Sequence, residues 1–346
     1  MKRGTICLFI LCLLTACSQT RFVGIETFNP AEITYPDYAR KVLIVNHAVP
    51  QPPDSGYEYK IAGVVQDTCQ AYADSALFDV CRALGEAIAE TGFFYDVLLF
   101  NENTRKDNAF ASDVKLTQEE VQALCEETGA DAVISLDRLL FTMKKDVSVF
   151  SEGYVYGAIG VEMNGIIRSY LPYRDTPQAT VILADSLFWG EEALDISLVN
   201  RLLPTPDQAL RTAGAYTGNK TYPVFVPHWD RESRWFFTGV GARWKKAGAY
   251  AAKNKWDEAL REWSIIYDAN HSNWKSKAKS ASNVALAYEL TGYLDNALLL
   301  ATEAWELFEQ NAGANDAYTQ LQSFYKETLA KRIQSEKKLH VQMGEE

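Results

Sequence analysis

The sequence predicts a mixed-sheet α/β domain followed by an all-α domain of repeated helix pairs. Between residues 41 and 190, short apolar runs typical of strands alternate with segments whose apolar residues recur at helical spacing. After residue 236, two stretches share a pattern of small and aromatic residues. The chain has 346 residues, 47% of them hydrophobic and 23% charged, which is enough for two folded domains.

The α/β domain is predicted to open with a strand, a helix and a second strand. Val42–Val45 is a continuous apolar run of strand length, and a proline-rich loop follows it. From Gln70 to Thr91 apolar residues recur on one helical face. Gly92 is the residue type that ends helices in the left-handed conformation, so the helix is expected to stop there. Phe93–Phe100 predicts the second strand.

A capping box predicts where the next helix begins. The Thr117 hydroxyl and the Glu120 carboxylate are three residues apart, so each can accept a hydrogen bond from the other residue's free backbone N–H. Gly129 predicts the end of this helix. Ala132–Leu136 predicts a third strand, which Leu139–Met143 either continues or leaves.

Two further strands complete the predicted sheet. From Gly153 to Tyr170 one face of the pattern is apolar and the other mostly polar, which predicts a long, half-buried strand whose glycines indicate bulges or close backbone approach. Thr180–Trp189 predicts a fifth strand that pairs with it as a hairpin. The order strand, helix, strand, helix and three strands predicts a mixed sheet.

This order of elements resembles a known module. Together with the segment Glu127–Ile134, which leads from a helix into a strand, it resembles the small α/β module of periplasmic lipoproteins that activate peptidoglycan synthases or assemble curli. The resemblance covers roughly residues 41–190 and implies a module of the same kind here.

Residues 191–236 are predicted to connect the two domains. They contain several prolines, which favour irregular structure. Within them, Thr205 followed by Pro206 is typical of a helix start, so a helix is expected from Asp207 to Tyr216.

The second domain resembles tetratricopeptide repeats. Trp244–Tyr250 followed by Trp256–Leu260 resembles one repeat, and Asn283–Tyr288 followed by Gly292–Ala297 resembles another. The resemblance implies antiparallel helix pairs whose small residues allow close approach and whose aromatic residues fill the gaps between pairs.

The two copies are related by 38 residues, four more than the usual period of 34. Tyr250 corresponds to Tyr288 and Ala259 to Ala297, and the insertion is predicted at Asn270–Asn273. Because about three repeats are needed for stability, a following helix is expected to act as a cap. The helical domain is thus predicted over residues 237–336, with a charged tail over 337–346.

A lipoprotein export signal is predicted at the amino terminus. Lys2 and Arg3 precede the apolar run Ile6–Leu14, which is shorter than the roughly 20 residues of a membrane-spanning helix. Leu14–Cys17 matches the lipobox, and this start resembles bacterial lipoproteins. The resemblance implies removal of residues 1–16 and acyl chains on Cys17. Residues 17–40 are expected to be a tether.

Charge and location narrow the class of partner. The net charge is −11, and removal of the signal with Lys2 and Arg3 would leave 32 basic against 45 acidic residues, or −13. A chain this acidic is repelled by nucleic acid and by anionic lipid, so membrane attachment is expected through acyl chains. Ser18–Arg21 carries no acidic cluster, which favours an outer-membrane position facing the periplasm.

The cysteines of the mature chain predict packing rather than redox chemistry. Cys81 and Cys125 each lie on the apolar face of a predicted helix, where a thiol acts as a small hydrophobe. A disulfide between Cys69 and Cys81 is disfavoured, because twelve helical residues would separate them by about 18 Å.

The sequence predicts no catalytic or metal site and no cofactor. The four histidines are scattered, and nucleophile elbows, phosphate-binding glycine loops and dinucleotide fingerprints are missing from the sequence. Glu119 with Glu120 and Glu191 with Glu192 are adjacent carboxylates, which do not face one another. We therefore expect a protein that is not an enzyme.

The expected function is a membrane-anchored scaffold or adaptor that binds envelope proteins or peptides. Tetratricopeptide arrays bind peptides in a groove lined by the first helix of each pair. The resemblance therefore implies Trp244, Lys279, Ser282 and Glu289 as groove residues. The whole chain also resembles uncharacterised repeat-bearing lipoproteins of envelope bacteria.

Two alternatives stay open. The region after residue 228 is rich in tryptophan, and aromatic rings also bind sugar faces, so a glycan-binding lipoprotein is the leading alternative. A glycan-active enzyme is the less favoured one, and it would need carboxylates that converge in a pocket.

Overall fold

A computed structural model describes residues 20–66 and 70–344 of the chain. These residues fold into two compact units. The first comprises residues 31–228 and contains the mixed sheet, and the second combines residues 20–30 with residues 229–344 and contains the helix pairs. The predicted fold class, an α/β region followed by a helical region, is confirmed. The export signal, Cys17 and Cys69 lie outside the described residues.

The expected tether is wrong where the structure describes it. Within residues 17–40, strand β1 (Thr20–Asn29) pairs with strand β9 (His228–Phe237), and β1 belongs to the helical unit. The sequence pattern of β1 is weak because glycine and polar residues interrupt its alternation. Pairing with a distant strand supplies the backbone hydrogen bonds that local sequence cannot reveal.

In the described residues, the α/β unit contains a seven-stranded mixed sheet. Its strands are β2 (Lys41–Asn46), β3 (Tyr57–Ile61), β4 (Val64–Val65), β5 (Asp96–Asn103), β6 (Ala132–Val149), β7 (Val155–Tyr170) and β8 (Ala179–Ala193). Strand β2 runs parallel to both β5 and β6, and β3 runs parallel to the far end of β6. Strands β6, β7 and β8 form an antiparallel meander, so the predicted hairpin of the last two strands is confirmed.

Helices cover both faces of this sheet. They are α1 (Asp74–Thr91), α2 (Gln118–Thr128), α3 (Ile196–Leu202) and α4 (Pro206–Phe225). The capping box of Thr117 and Glu120 is present, and Gly92 and Gly129 end their helices at φ of 65° and 70°. These local predictions hold because capping depends on neighbouring residues alone.

The core lies on both sides of β2. Val42 and Ile44 point into the larger cluster with α1, whereas Leu43 and Val45 point into the smaller cluster with α2. Burial on both faces explains why β2 is a continuous apolar run. Cys81 and Cys125 are free and buried, and burial raises the pKa of their thiols to about 12 and about 11.

Residues 191–236, predicted as a connection, contain the end of β8 and two helices that belong to the α/β unit. Thr205 caps α4 as expected, and the helix continues to Phe225, beyond the predicted end. A Cβ at Gly214 would lie 2.3 Å from the Ala76 carbonyl oxygen, and one at Gly218 would lie 2.4 Å from that of Val80. Helices α4 and α1 therefore pack in direct backbone contact.

The helical unit is a series of antiparallel helices. They are α5 (Ala242–Ala251), α6 (Trp256–Ala269), α7 (Trp274–Leu290), α8 (Leu294–Ala312) and α9 (Ala317–Met343). Each helix packs on the next, and the small residues that the repeat pattern marks are fully buried: Ala247, Ala259, Ala285 and Ala297. Asn270–Asn273 falls between the two pairs, and α9 continues through the predicted charged tail to Met343.

Across residues 20–66 and 70–344, no helix is both long enough and apolar enough to span a membrane.

We expect Gly214→Ala to destabilise the α/β unit by about 1–3 kcal/mol, because the added methyl group forces α4 away from α1. Gly85→Ala is the matched control: its Cβ would meet Ile44 at an ordinary 3.5 Å, and alanine favours the helix. Urea denaturation followed by circular dichroism would compare the two. Equal stability of both variants would contradict the close packing.

Candidate functional site

The inner face of the helical unit is occupied by strand β9. The first helices of the pairs, α5 and α7, and the capping helix α9 all contribute residues to the surroundings of this strand. This is the face that carries Lys279, Ser282 and Glu289, which the repeat resemblance predicted as groove residues. Here an extended segment of the same chain, Trp235–Phe237, lies buried on it.

Asn283 holds the backbone of β9. Its side-chain oxygen accepts a hydrogen bond from the Phe237 N–H at 2.7 Å, and its amide nitrogen donates to the Phe237 carbonyl at 2.8 Å. Asn283 is fully buried on α7. One amide thus satisfies both backbone groups of Phe237, independently of the side chain at that position.

Aromatic pockets hold the side chains of the same segment. The Phe237 ring centroid lies 5.2 Å from that of Tyr318 and 5.9 Å from that of Phe308. The Lys279 ammonium lies over the Phe237 and Tyr318 rings, at 5.6 and 5.4 Å from their centroids. Burial lowers the pKa of Lys279, and the cation–π contacts offset part of that cost.

A buried ionic cluster fixes β9 to α7 and α9. Glu289, with a fully buried side chain, accepts hydrogen bonds from Arg234 of β9 at 2.9 Å and from Arg332 at 2.6 Å. The Tyr325 hydroxyl donates to the other Glu289 oxygen at 2.9 Å. The pKa of Tyr325 is raised, mainly by burial and to a lesser extent by the charge of the Glu289 carboxylate. Such a cluster tolerates loss of one partner poorly, because an uncompensated charge would stay buried.

The groove residues predicted from the repeat resemblance are therefore not an open binding surface. Lys279, Ser282 and Glu289 are buried, and each contacts β9, α9 or both. Trp244 is half-buried, with its ring against Gly239. The sequence does not reveal that residues 235–237 lie against these side chains, since residues 235 and 236 were predicted as part of a connection and Phe237 as the start of the helical domain.

The tryptophans of this unit serve mainly in packing. Trp235 and Trp263 are buried, and Trp244, Trp256 and Trp274 are half-buried. Trp229 is 65% exposed, with its ring centroid 5.1 Å from that of Phe28. Most of these rings therefore contribute to packing within the unit.

An open surface lies instead at the edge of the sheet in the α/β unit. In the described part of the chain β8 pairs with β7 alone, so its second edge has no partner strand. The strand has 15 residues, or about 50 Å of edge. Its outward face carries Ile182, 78% exposed, and Phe188, 66% exposed. A long apolar edge is a template for another strand.

A groove runs beside this edge, between β8 and α4. It has a volume of about 190 Å³ and an apolar lining that includes Met163, Val181, Leu183 and Val224. At its rim, Lys220 pairs with Asp185 and holds the pKa of that carboxyl below its usual value. A strand added to β8 would direct every second side chain toward this groove.

Sequence reasoning predicts β8 but misses its open edge. Val181, Leu183 and Leu187 face the core, while Ile182 and Phe188 face solvent. The available signal was that apolar residues occur at both odd-numbered and even-numbered positions of β8. In a strand with one solvated face, apolar and polar residues normally alternate. Periodicity alone attributes such a run to burial on both faces.

A buried polar cluster lies on β6 and β7, next to the carboxyl end of β2. Asp137, completely buried, accepts hydrogen bonds from Arg168 at 2.7 Å, Tyr170 at 2.7 Å and Ser135 at 2.6 Å. Burial raises the pKa of Asp137, and these hydrogen bonds oppose the shift. Asp113, from the loop between β5 and α2, binds Arg168 at 2.7 and 2.8 Å.

His47 follows β2 at the same edge. Its Nδ1 lies 2.6 Å from the Thr104 hydroxyl, which also lies 3.3 Å from the Asn46 carbonyl oxygen. Its Nε2 is buried without a hydrogen-bond partner among the described residues. Burial lowers the pKa of His47 and keeps the ring neutral.

These polar groups bind one another, so the cluster orders the loop over the sheet edge. It holds no exposed nucleophile, and the described residues contain no group of three or more His, Cys, Asp or Glu able to hold a metal ion. Its members are far apart in sequence. Polar residues directly after strands were the only local signal.

Asn283→Ala should destabilise the helical unit by about 2–4 kcal/mol, because the Phe237 N–H and carbonyl lose their buried partners. Asn296→Ala, at an exposed site on α8, is the control. Tryptophan fluorescence during urea denaturation reports this unit, since Trp189 alone of the eight tryptophans lies in the other. A loss no greater than that of the control would contradict the role of Asn283.

Acid should weaken the α/β unit in part through His47. Because the folded state lowers its pKa below 6.5, the unfolded chain binds the proton more readily, so stability is lost as the pH falls from 6.5 through the folded pKa. His47→Gln should show a smaller loss between pH 7 and 5.5, and His271→Gln an unchanged one. The loss of stability is measured by hydrogen exchange of peptides from β2 at each pH, after correction for the pH dependence of the intrinsic exchange rates. Identical losses in all three proteins would refute it.

Comparison with known families gives two matches. A domain of unknown function, DUF8603, matches residues 39–237, and a second domain of unknown function, DUF6340, matches residues 245–331. No curated protein matches the chain. The first match begins before β2 and ends at the last residue of β9, and it covers more than half of the chain. The chain therefore belongs to the DUF8603 family.

Proposed function

We propose that this protein is a non-enzymatic scaffold, anchored to a bacterial envelope membrane by acyl chains on Cys17, that binds other envelope proteins. The open edge of β8 is the observation that carries the proposal. An unpaired strand edge offers backbone N–H and C=O groups to an extended polypeptide, and strand addition is an established mode of peptide recognition.

The residues that line the groove beside β8 indicate the chemistry of the partner. An added strand with alternating apolar residues would bury them against Met163, Leu183 and Val224, while its backbone pairs with β8. A basic residue in that strand would be attracted to Glu191 and Glu192, near the carboxyl end of β8. The partner is thus an extended segment with alternating apolar residues.

The filled inner face of the helical unit also supports β8 as the site that binds the partner. Because Trp235–Phe237 occupies the surface that binds peptides in other repeat proteins, a partner would have to displace a strand held by Asn283 and Glu289. The edge of β8 requires no such displacement. The glycan-binding alternative has less support, since most tryptophans of the helical unit pack internally.

Photo-crosslinking in living cells tests the proposal. A photo-reactive residue at Ile182 or Phe188 should give a discrete adduct with an envelope protein, and Ala184→Lys should abolish it, because a charge on the edge disfavours strand addition. Ala89→Lys, at an exposed site on α1, should leave the adduct unchanged. Both alanines are exposed, so folding should be unaffected in either variant.

Two results would refute the proposal. One is the lack of any adduct from positions 182 and 188 in cells that contain the folded protein. The other is an adduct that persists in the Ala184→Lys variant.

A further inference from the structure

We propose that the helical unit rests directly on the membrane surface, through the start of β1, the turn after β9 and the basic side chains of α5 and of the turn that follows it. This inference depends on the proposed acyl chains at Cys17. It replaces the expected tether with a fixed orientation of the helical unit relative to the lipid.

The chain between the lipid and the folded unit is too short for a tether. Three residue steps separate Cys17 from Thr20, the first residue of β1, and they span at most about 11 Å. Strand β1 is fixed in the helical unit by its pairing with β9. The start of β1 must therefore lie within that distance of the acylated cysteine.

Side-chain pairs show which part of the unit lies at this end. Thr27 donates to Glu232 at 3.0 Å and Asn29 donates to Asp230 at 3.2 Å, which is the register of an antiparallel pair. Extended along the strands, this register places Thr20 opposite Gly239. The turn from Thr238 to Gly241 is thus next to the start of β1.

Exposed apolar side chains lie at this end of the strand pair. Val240 is 95% exposed in the turn, and Phe22 is 72% exposed on β1. At a lipid surface, large apolar side chains insert below the headgroups and bury apolar area. In water their exposure contributes no favourable free energy. Their position beside the acylated residue makes lipid the natural occupant of this surface.

The charge of the neighbouring helix matches an anionic membrane. From residue 238 to 255 the sequence contains five basic residues and no acidic one, although the whole chain has a net charge of −11. Lys245, Lys253 and Lys255 are exposed. Arg243 and Lys246 pair with Glu262 and are each at least half exposed. Basic residues beside a lipid anchor strengthen attachment to anionic headgroups.

The start of β1 runs beside this helix. Val23 packs in the cluster that contains Ala247 and Ala251 of α5. Gly24 and Glu26 line one depression together with Asn254 and Trp256. The acylated end, the exposed apolar residues and the basic helix therefore share one region of the helical unit.

The test uses the full acylated protein in vesicles of zwitterionic and anionic phospholipid with a share of brominated lipid. A fluorescent probe is attached at Val240→Cys, or at Val341→Cys as the exposed control, in a Cys69→Ser background that leaves the buried Cys81 and Cys125. We expect a blue shift and strong quenching at position 240 and neither at position 341. Replacement of Lys245, Lys253 and Lys255 by glutamate should reduce the quenching at position 240.

Mass spectrometry of the amino-terminal peptide separates the possible failures. If diacylglycerol is present on Cys17 but the probe at 240 behaves like that at 341, the anchor stands and this inference is overturned. If the lipid is missing, both this inference and the proposed anchor are wrong. Quenching at 240 that is insensitive to the three lysine replacements would refute the part played by the basic residues of α5 and the turn after it.

Discussion

The bonds between Asn283 and the backbone of Phe237 determine what the helical unit can do. They hold an extended strand on the inner face of the helix pairs, and the Glu289 cluster fixes the same strand six residues further along α7. The face that was predicted as a peptide groove is part of the core. The helical unit therefore includes β1 and β9 as structural elements, and in the α/β unit one edge of β8 has no partner strand among the described residues.

Local signals were enough to predict most of the fold. The capping box at Thr117, the glycines that end α1 and α2, and the apolar run of β2 depend on residues near one another in sequence, and all of them are confirmed. The repeat resemblance also located the helix pairs, because their alanines must be small wherever two helices meet. Helices and strands with a strong apolar periodicity are the features of a fold that a sequence predicts best.

The site escaped prediction because it depends on distant pairing. Strands β1 and β9 are stabilised by one another and by helices that follow β9, so neither carries a strong pattern of its own. Lys279, Ser282 and Glu289 were predicted to line a groove, but the sequence did not reveal that β9 and α9 cover them. The open edge of β8 is likewise a property of the whole sheet, since only the strand order shows which strands lack a neighbour.

Amide hydrogen exchange on the isolated full chain tests the central claim, a filled inner face and an open sheet edge, most directly. The account predicts that the Phe237 amide exchanges as slowly as the amides in the core of α7, because it donates a hydrogen bond to the Asn283 side-chain oxygen. Every second amide of β8 should exchange quickly, because it faces solvent. Fast exchange at Phe237 together with uniform protection along β8 would show an open groove and a covered edge, and it would contradict the account.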